Sequence, residues 1–505
     1  MHTINPKIAK IVSGISIAMI MLGSGFSSYY FYFKPLSDQP VISTNVSASD
    51  HHSEDSSMIS ENDYLATEEP GKVKYVRITA DTYLRAKDSD HSDIIKLLKP
   101  GTEAPYVDES KSRFKISISE TDDGWVSKNG SELFEKEVII KHIPKRVKGE
   151  SFDMTDTSEG QELKTIFKKY TTVGASIAII KEGQIAYHYE YGYADRENNI
   201  PVNQNTKFRV ASVSKVFTAM LAMKEVDEGK LSLDDNLSDL LGFRFNNPKY
   251  PDTPVTMRML LTHTSGLSGK EGLYNGALCS AVVKESNYSA KPGKKFIYSN
   301  LGMGIAGAVV EIASDMTISK YASESLLKPM GIDASYDAKY LSDPSLVANC
   351  YTNGRLKRTN EVQTRTIETK NIKPGDIFYL GQGNLLISAI DLAKLSTLLL
   401  NDGQYDDKQY LSKDIVTAML TEHPINTQGN FTQCIGIRKS ENLVEGRDIY
   451  YHNGNYYGIY ALMAIDPSDR SGVIVITSGA NSQRNENTVF DVCNDIMNYC
   501  YKDLI

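Results

Sequence analysis

Residues 216–223, Val-Phe-Thr-Ala-Met-Leu-Ala-Met, predict a helix that is apolar on nearly every side. Such a helix is buried, so the rest of this part of the chain has to cover it. Ser212 and Lys215 stand just before this run and three residues apart, which places both on one helical face. Free N–H groups and the helix dipole favour a developing negative charge at this end. The stretch therefore has the layout of an activated serine nucleophile.

The Ser-x-x-Lys spacing is not specific by itself. Ser112 and Lys115 show the same spacing in a part of the chain that has no other catalytic signal. A single match therefore has roughly even odds of arising by chance. Other chemical groups have to accompany Ser212 before it can be assigned as a nucleophile.

Length, charge and cysteine content narrow the class of protein. The chain has 505 residues, enough for about two to four domains. Its net charge is −8 and it has no basic stripe with interleaved aromatic residues, so we expect no nucleic-acid partner. The cysteines are odd in number, so at least one thiol is unpaired within a monomer. We interpret most of them as small buried apolar residues: Cys279, Cys350, Cys434, Cys493 and Cys500.

The N-terminal segment is typical of an exported protein. Residues 11–33 carry no charge and are long enough to span a bilayer, with Lys7 and Lys10 on the leading side. We therefore expect residues 1–10 in the cytoplasm, a single-pass transmembrane helix over residues 11–33, and the bulk of the chain outside the cell. A cleaved signal peptide is the alternative, because the apolar stretch 11–22 is short enough for one.

Two regions of different character follow. Residues 34–71 are rich in Ser, Asp, Glu, Asn and Thr and predict a disordered linker. Residues 72–136 contain short β-type runs separated by turn signals, which predict a small barrel. Three pieces resemble a bacterial SH3 domain: Tyr83-Leu84-Arg85, Pro100-Gly101-Thr102 and Gly124-Trp125-Val126-Ser127. The resemblance implies binding of cell-wall peptides, and a spacer without a ligand is the other interpretation.

Residues 149–505 follow the pattern of one α/β (α+β) unit. Two hairpins are predicted, one around Lys181-Glu182-Gly183 and the other around Pro467-Ser468-Asp469-Arg470. The middle of the unit is helical, and the chain ends in an amphipathic helix from about Asn487. We therefore expect one antiparallel sheet assembled from the two ends of the domain, with the helices packed on it.

Two further motifs accompany the serine and the lysine. Tyr298 and Asn300 stand two residues apart after a turn, and His452-Asn453-Gly454 opens onto the second predicted hairpin. In the order S-x-x-K, Y-x-N and H-x-G, the motifs resemble those of the serine β-lactamase and penicillin-recognising DD-peptidase superfamily. The resemblance is to its class C β-lactamase and carboxypeptidase–esterase branch. It extends over residues 149–505 and implies a β-lactamase/transpeptidase-like fold.

Acyl transfer assigns a task to each of these side chains. Ser212 would attack a carbonyl carbon to give an acyl-enzyme, and Lys215 would take the serine proton if burial lowers the pKa of its amine. Tyr298 would pass protons between the serine, the leaving group and the deacylating water. Asn300 has a donor and an acceptor with which to hold a substrate amide.

The resemblance adds positions that bind substrate. It implies that the backbone N–H groups of Ser212 and Asn455 form the oxyanion hole, which contributes about 3–4 kcal/mol per donor in other acyl-transfer enzymes. His452, with Gly454 two residues further on, takes the place usually given to lysine, which leaves the recognition of a substrate carboxylate open. We expect His263 to be structural. No motif calls for a metal or another cofactor.

These motifs predict a serine hydrolase that faces the cell wall and works through an acyl-serine. The first candidate is a D-alanyl-D-alanine carboxypeptidase-type peptidase whose partner is a peptidoglycan peptide or another cell-wall substrate. An esterase, for example one that removes D-alanine from teichoic acid, or a class C-like β-lactamase would use the same motifs. A non-catalytic penicillin-binding sensor or wall-binding scaffold is the alternative of another class. The basic segment 355–373 would either attract acidic polymers or form a solvated loop.

Overall fold

The computed structural model describes residues 61–118, 123–147, 149–268, 287–365, 373–427 and 429–505. The predicted cytoplasmic segment and transmembrane helix lie outside these residues, as does Cys279. Within the described part of the chain, no single helix is long and apolar enough to cross a membrane. One bent pair of helices meets the length and composition criteria only when its two halves are taken together.

The first part of the described chain forms a seven-stranded antiparallel sheet, which we call the β-module. Its strands are β1 (Thr67–Ile78), β2 (Thr82–Arg85), β3 (Ile94–Leu98), β4 (Glu103–Glu109), β5 (Arg113–Ser117), β6 (Asp123–Ser127) and β7 (Ser131–His142). They follow the order β3-β2-β6-β5-β4-β1-β7 around a small apolar core that includes Val76 and Ile116. The resemblance of this region to an SH3 domain stays a prediction.

The β-module is longer at both ends than the sequence predicted. Strands β1 and β7 pair along their whole length, from Thr67 opposite His142 to Ile78 opposite Ser131. The predicted limits, residues 72 and 136, fall inside this pair, and on β1 the outer segment 67–71 is polar and largely solvent-exposed. Such a segment gives no alternating hydrophobic signal in the sequence.

The remaining strands belong to the α/β domain. They are β8 (Phe152–Asp153), β9 (Gly174–Lys181), β10 (Gln184–Asp195), β11 (Ile200–Pro201), β12 (Phe208–Arg209), β13 (Cys350–Thr352), β14 (Arg355–Arg358), β15 (Leu386–Ile387), β16 (Gln404–Tyr405), β17 (Lys408–Gln409), β18 (Thr432–Gln433), β19 (Arg438–Ser440), β20 (Ile449–Tyr456), β21 (Ile459–Asp466) and β22 (Ser471–Ser478). Most of them form one sheet in the order β11-β10-β9-β22-β21-β20-β19-β18, with β8 paired to β10.

The two predicted hairpins are confirmed, and so is the joining of the two ends of the domain. Strands β9 and β10 form the first hairpin and β21 and β22 the second. Strand β9 then pairs directly with β22, so that Gly174 stands opposite Ser478. The mixed α/β fold class expected from the sequence is therefore correct.

Helices cover both faces of this sheet. They are α1 (Ser158–Lys169), α2 (Ser214–Asp227), α3 (Leu237–Leu241), α4 (Met257–Leu261), α5 (Asn300–Ser314), α6 (Ile318–Ala322), α7 (Asn360–Gln363), α8 (Ala389–Leu400), α9 (Lys413–Leu420) and α10 (Asp491–Tyr499). The central helices α2, α5 and α8 build the core on one face, and α1 and α10 build the core on the other. Every residue of α2 from Ser214 to Met223 is buried, as its apolar composition predicted.

Four cysteines are buried and unpaired: Cys350, Cys434, Cys493 and Cys500. Burial raises the pKa of the Cys350 and Cys434 thiols to about 12, and it raises the pKa of the other two thiols as well. These thiols are therefore protonated and act as small apolar groups, in agreement with the sequence interpretation. The C-terminal helix begins at Asp491 and not near Asn487, because Thr488 donates to the Asn485 carbonyl in a turn.

Candidate active site

Ser212 lies in a tight turn between a short strand and a buried helix. Strand β12 pairs with β15, residues Ala211–Val213 form a 3-10 turn, and α2 begins at Ser214. Ala211 has a φ of 48°, in the left-handed region that non-glycine residues rarely adopt. The backbone is therefore strained directly before the serine, as is common at functional sites. The sequence predicted Ser212 at the helix N-terminus, and the serine lies in the turn that leads into it.

Lys215 brings its amine to the serine hydroxyl. The side chain is fully buried, and its Nζ lies 2.9 Å from Ser212 Oγ and also contacts the Gln382 carbonyl. Burial lowers the pKa of the amine; the nearby Tyr298 opposes this shift, and the positive charge of Arg438 adds to it. A lysine with a lowered pKa is neutral for part of the time, and a neutral amine can accept the proton of Ser212.

Tyr298 completes a contact triangle with these two residues. The Lys215 Nζ lies 5.3 Å from the Tyr298 ring centroid. Burial alone would raise the pKa of the Tyr298 phenol, but the charges of Lys215 and Arg438 and a hydrogen bond from Ser212 outweigh burial and lower it. The phenol can therefore give up and regain a proton more easily than an ordinary tyrosine, which suits a proton relay.

Asn300 follows Tyr298 at the start of α5, where its side chain is exposed. Ser299 caps the helix, since its Oγ accepts the Gly302 N–H at 2.9 Å. The Ser299 N–H in turn donates to His263 Nδ1 at 3.2 Å. His263 thus holds the Tyr298–Asn300 segment by its backbone, which is the structural role that the sequence predicted for it.

Strand β20 closes the site opposite the serine. At Gly454 a Cβ atom would lie 2.2 Å from the Val210 carbonyl oxygen and 3.2 Å from the Ser212 nitrogen. Only glycine therefore allows the strand to approach the turn this closely. Asn455 comes next and is exposed, so its backbone and that of Ser212 stand on facing segments. This is the arrangement that an oxyanion hole requires.

His452 is buried and neutral. Its Nδ1 lies 2.9 Å from the Asn453 carbonyl oxygen, and its ring centroid is 6.4 Å from that of Tyr298. Burial, together with the charges of Arg438 and Lys215, holds the pKa of the imidazole well below its usual range. His452 therefore supplies a polar surface without a positive charge.

Arg438 supplies the charge that His452 lacks, and sequence reasoning missed it. Strand β19 pairs with β20 so that Arg438 stands opposite Tyr451, next to His452. The guanidinium carbon lies 5.3 Å from the Tyr298 ring centroid. Nη1 makes a long contact of 3.5 Å with Thr488 Oγ1, while Nε is buried without a hydrogen-bond partner in the described structure. Only the register between the strands could have placed this residue.

The structure thus brings Ser212, Lys215, Tyr298, His452 and Gly454 into one cluster, with Asn300 and Asn455 at its exposed edge. The Ser-x-x-Lys match at Ser112 lies elsewhere, in the β-module, where Lys115 pairs with Asp123. One group among the described residues could hold a metal ion: Asp153, His188 and Glu190. It lies on β8 and β10, and His188 and Glu190 already bind each other, so it is not part of this cluster.

A buried lysine beside a serine hydroxyl, on a sheet built from both ends of a mixed α/β domain, defines the class of serine hydrolases with a β-lactamase-like fold. The Beta-lactamase family model matches residues 158–492 of the chain, which is more than half of its length. The chain therefore belongs to the β-lactamase family and is a serine hydrolase.

Known relatives match shorter stretches. Protein flp of Staphylococcus aureus (strain N315) is 29% identical over 167 residues, which cover 31% of this chain and 33% of that protein. Penicillin-binding protein 4* of Bacillus subtilis (strain 168) is 30% identical over 182 residues, covering 34% of this chain and 39% of the relative. The chain thus spans well under two thirds of the length of these relatives.

A solved structure shares the fold over a longer range. The octameric penicillin-binding protein homologue from Pyrococcus abyssi superimposes with a TM-score of 0.54 and 24% identity. The superposition covers 68% of this chain and 75% of that protein.

Proposed function

We propose that the chain is a D-alanyl-D-alanine carboxypeptidase-type peptidase that acts on cell-wall peptides through an acyl-serine. Ser212 attacks the peptide carbonyl carbon, and its proton passes to Lys215. The C–N bond then breaks, and Tyr298 delivers a proton to the departing amine and takes the serine proton from Lys215 in its place. Water hydrolyses the new ester bond, which returns the proton to the serine and releases the shortened peptide.

The observation that carries this proposal is the contact between Lys215 Nζ and Ser212 Oγ, 2.9 Å long and placed in a buried pocket that lowers the pKa of the lysine. The close approach of β20 supports an oxyanion hole at the N–H groups of Ser212 and Asn455. Each such donor contributes about 3–4 kcal/mol in related chemistry. Asn300 stands at the open edge of the cluster, where a substrate amide enters.

Arg438 favours a substrate that ends in a free carboxylate. Its buried Nε has no hydrogen-bond partner in the described structure, and a buried unpaired donor is costly unless a ligand satisfies it. The neutral His452 beside it adds no positive charge, so the guanidinium of Arg438 is the group that would attract the carboxylate. A C-terminal D-alanine carries such a carboxylate on its leaving-group side, and the B. subtilis relative is a penicillin-binding protein.

We propose further that residues 11–33 anchor the protein in the cell membrane with residues 149–505 outside the cell. The uncharged run and the lysines before it support this orientation. Such an anchor would keep the site within reach of the cell wall. The proposal includes no cofactor and no nucleic-acid partner.

Acylation by a fluorescent penicillin tests the proposed chemistry. The full-length chain is incubated with the reagent and examined by gel fluorescence and intact mass, with Ser212→Ala as the control. We expect a stable adduct on the wild-type chain and none on the variant. An adduct of equal intensity on Ser212→Ala would contradict the assignment of the nucleophile.

Turnover separates the neighbouring activities. Release of D-alanine from a peptide ending in D-alanyl-D-alanine supports the carboxypeptidase. Rapid penicillin hydrolysis without an adduct would instead indicate a β-lactamase. Hydrolysis of a short-chain nitrophenyl ester without any reaction with penicillin would indicate an esterase. No reaction in any of the three assays would support a non-catalytic scaffold and overturn the proposal.

A further inference from the structure

Strand β20 ends, beyond Asn455, in a cluster of two arginines and two tyrosines. Arg209 Nη1 donates to Tyr456 Oη at 3.0 Å, and the guanidinium carbon lies 4.4 Å from the ring centroid. Arg358 repeats this arrangement on Tyr457, with 2.9 Å to Oη and 4.5 Å to the ring centroid. The two rings meet edge-on with their centroids 4.8 Å apart. We call these four residues the arginine–tyrosine cluster.

The arginine–tyrosine cluster adjoins the acyl centre through the backbone. Arg209 stands three residues before Ser212 on the strand that leads into the nucleophile turn, and its Nε donates to the Gly383 carbonyl at 3.5 Å. Gly383 follows Gln382, whose carbonyl contacts Lys215. The guanidinium of Arg209 therefore contacts both Tyr456 at the end of β20 and the Gly383 segment beside Lys215.

This cluster and Arg438 lie at opposite ends of the site. Arg438 stands opposite Tyr451 near the start of β20, whereas Tyr456 is the last residue of that strand. The two positions are five residues apart, which corresponds to roughly 17 Å along an extended strand. Gly454, which touches the serine turn, lies between them. If a leaving-group carboxylate binds at Arg438, the acyl-donor side of the substrate points towards the cluster.

Both arginines of the cluster lack a carboxylate partner among the described residues; their hydrogen bonds go to tyrosine hydroxyls and a carbonyl. Arg358 also has a buried Nε without a hydrogen-bond partner in the described structure. In a chain of net charge −8, two guanidinium groups on adjoining tyrosine rings, neither paired with a carboxylate in the described part of the chain, are a local positive field. Such a field attracts an anionic ligand.

The turn after β20 keeps Tyr457 at the mouth of the site. Tyr457 has a φ of 47° and Gly458 a φ of 84°, which are the positive values of a tight hairpin turn. Asn, Asp and Gly favour such values, whereas a bulky aromatic residue does not. Tyr457 is nevertheless 46% exposed, with Arg358 stacked on it. The strained position presents an aromatic ring and a guanidinium to solvent beside the acyl centre.

We propose that Arg209 and Arg358 form an anion-binding subsite at the end of β20, which takes a negatively charged group on the acyl-donor side of the substrate. A carboxylate of a peptide and a phosphodiester of a polymer are two sources of the same chemistry, and guanidinium groups bind both. This subsite rests on the proposed acyl-serine function and deepens it. It assigns a role to part of the basic segment 355–373. The sequence alone allowed two interpretations of that segment, a site for acidic polymers and a solvated loop.

Three matched nitrophenyl esters test the subsite in the full-length chain: one neutral, one with a carboxylate and one with a phosphodiester at the same place in the acyl group. We expect the wild-type chain to show a higher kcat/KM for the charged esters, and this preference to shrink with added salt because salt screens exposed charges. Whichever charged ester gives the larger ratio to the neutral one identifies the source of the anion.

Arg358→Gln should lower the charged-to-neutral ratio of kcat/KM about tenfold, because it removes a charge-assisted hydrogen bond. Lys357→Gln is the matched control, since Lys357 is exposed on the same strand and outside the cluster, and its ratio should match the wild type. Equal ratios for wild type and Arg358→Gln would overturn the subsite while leaving the acyl-serine function intact.

A binding measurement that needs no catalysis tests the anion-binding subsite independently of the proposed acyl-serine function. Calorimetric titration with inorganic phosphate should show weak binding to the wild-type chain and to Lys357→Gln, and a clear loss for Arg358→Gln. If the wild-type chain hydrolyses none of the esters, the proposed function fails and this titration alone decides on the subsite. Phosphate binding that is absent from the wild type, or equal in wild type and Arg358→Gln, would overturn the subsite.

Discussion

At the scale of single residues, the positive charge of Arg438 affects the pKa of several side chains in the site. Its positive charge lowers the pKa of Lys215 and of Tyr298. It also helps to keep His452 and His263 neutral. One guanidinium thus adjusts the protonation of four other side chains, which is how a proton relay is prepared at neutral pH.

Arg438→Gln should move the acid limb of the acylation profile to higher pH. Lys215 accepts a proton only when it is neutral, so the rate rises with pH through the lowered pKa of that amine. Removing the neighbouring charge raises this pKa, and the same rate is then reached only at higher pH. Acylation by a neutral nitrophenyl ester, followed from pH 5 to 10, measures the shift.

Lys439→Gln is the matched control on the next residue of β19. Lys439 pairs with Glu422 and Asp448 away from the site, so its removal should leave the acid limb in place. An unchanged limb in Arg438→Gln would contradict the electrostatic role assigned to the arginine.

The sequence predicted the residues that belong to local motifs and missed those that depend on strand register. Ser212 and Lys215 are close neighbours in the sequence, and so are Tyr298 and Asn300. Their spacing can therefore be recognised from the sequence alone. Arg438 reaches the site only because β19 pairs with β20 in one register. A one-residue slip would turn its side chain to the opposite face, and no local pattern fixes that choice.

Strand β20 is the element on which the site depends most. Its neighbours β19 and β21 fix its register, and its glycine allows it to touch the nucleophile turn. The sequence predicted the hairpin that follows this strand and the H-x-G motif on it. It could not show the contact itself, because the turn at Ala211–Val213 lies more than 200 residues away in the chain.

Gly454→Ala should abolish most of the acylation. The new Cβ would lie 2.2 Å from the Val210 carbonyl oxygen, so the strand and the turn must move apart. A displacement of about 1 Å can cost roughly a hundredfold in rate. The acylation rate with fluorescent penicillin and the urea unfolding midpoint should both be measured, because the clash also costs stability.

Gly472→Ala provides the comparison in the same sheet. Its Cβ would lie 3.0 Å from a side-chain carbon of Ile465 and 3.2 Å from the Ala464 carbonyl oxygen, a milder clash that does not involve the nucleophile turn, so the acylation rate should stay within a few-fold of the wild type. Gly454→Ala with full activity would show that the close approach is not needed for acylation.

The whole molecule joins the β-module to the α/β domain by polar contacts. Lys168 of α1 is buried and donates to Asp123 Oδ1 of β6 at 2.7 Å, and it also contacts Ser117. His142, the last residue of β7, binds Glu159 of α1 at 3.0 Å. Sequence patterns predicted the two units but not this junction, since its residues are isolated polar positions without periodicity.

Lys168→Met should destabilise the β-module by about 1–3 kcal/mol, because it removes the shorter of the two lysine contacts of the half-buried Asp123 and leaves only Lys115. The only tryptophan of the chain, Trp125, lies in β6 two residues from Asp123. Urea unfolding followed by its fluorescence therefore reports on this junction directly.

Lys169→Met is the control for that measurement. Its exposed amine pairs with Asp495 of α10, and exposed pairs contribute about 0–1 kcal/mol. A midpoint for Lys168→Met no lower than that of the control would contradict a stabilising junction.

His142 should make the junction sensitive to pH. The hydrogen bond to Glu159, with Glu69 on the other ring nitrogen, raises the pKa of the imidazole. A raised pKa in the folded state adds stability that is fully present below the unfolded pKa of about 6.5 and is lost as pH rises through the raised value. His142→Gln should therefore lower the unfolding midpoint at pH 6 and leave it nearly unchanged at pH 9. Equal effects at both pH values would contradict this linkage.

Labelling of the four buried thiols can report where the fold opens first. A thiol reagent reacts with exposed thiolate. In a Cys279→Ser background these four cysteines should therefore remain unlabelled until the segment around each one separates from its neighbours. Cys350 is the first residue of β13 and stands opposite Arg358 in the β13–β14 hairpin, whereas Cys493 and Cys500 lie on the far face of the sheet. The order in which mass spectrometry finds them labelled would therefore show whether the mouth of the site opens before the rest of the fold.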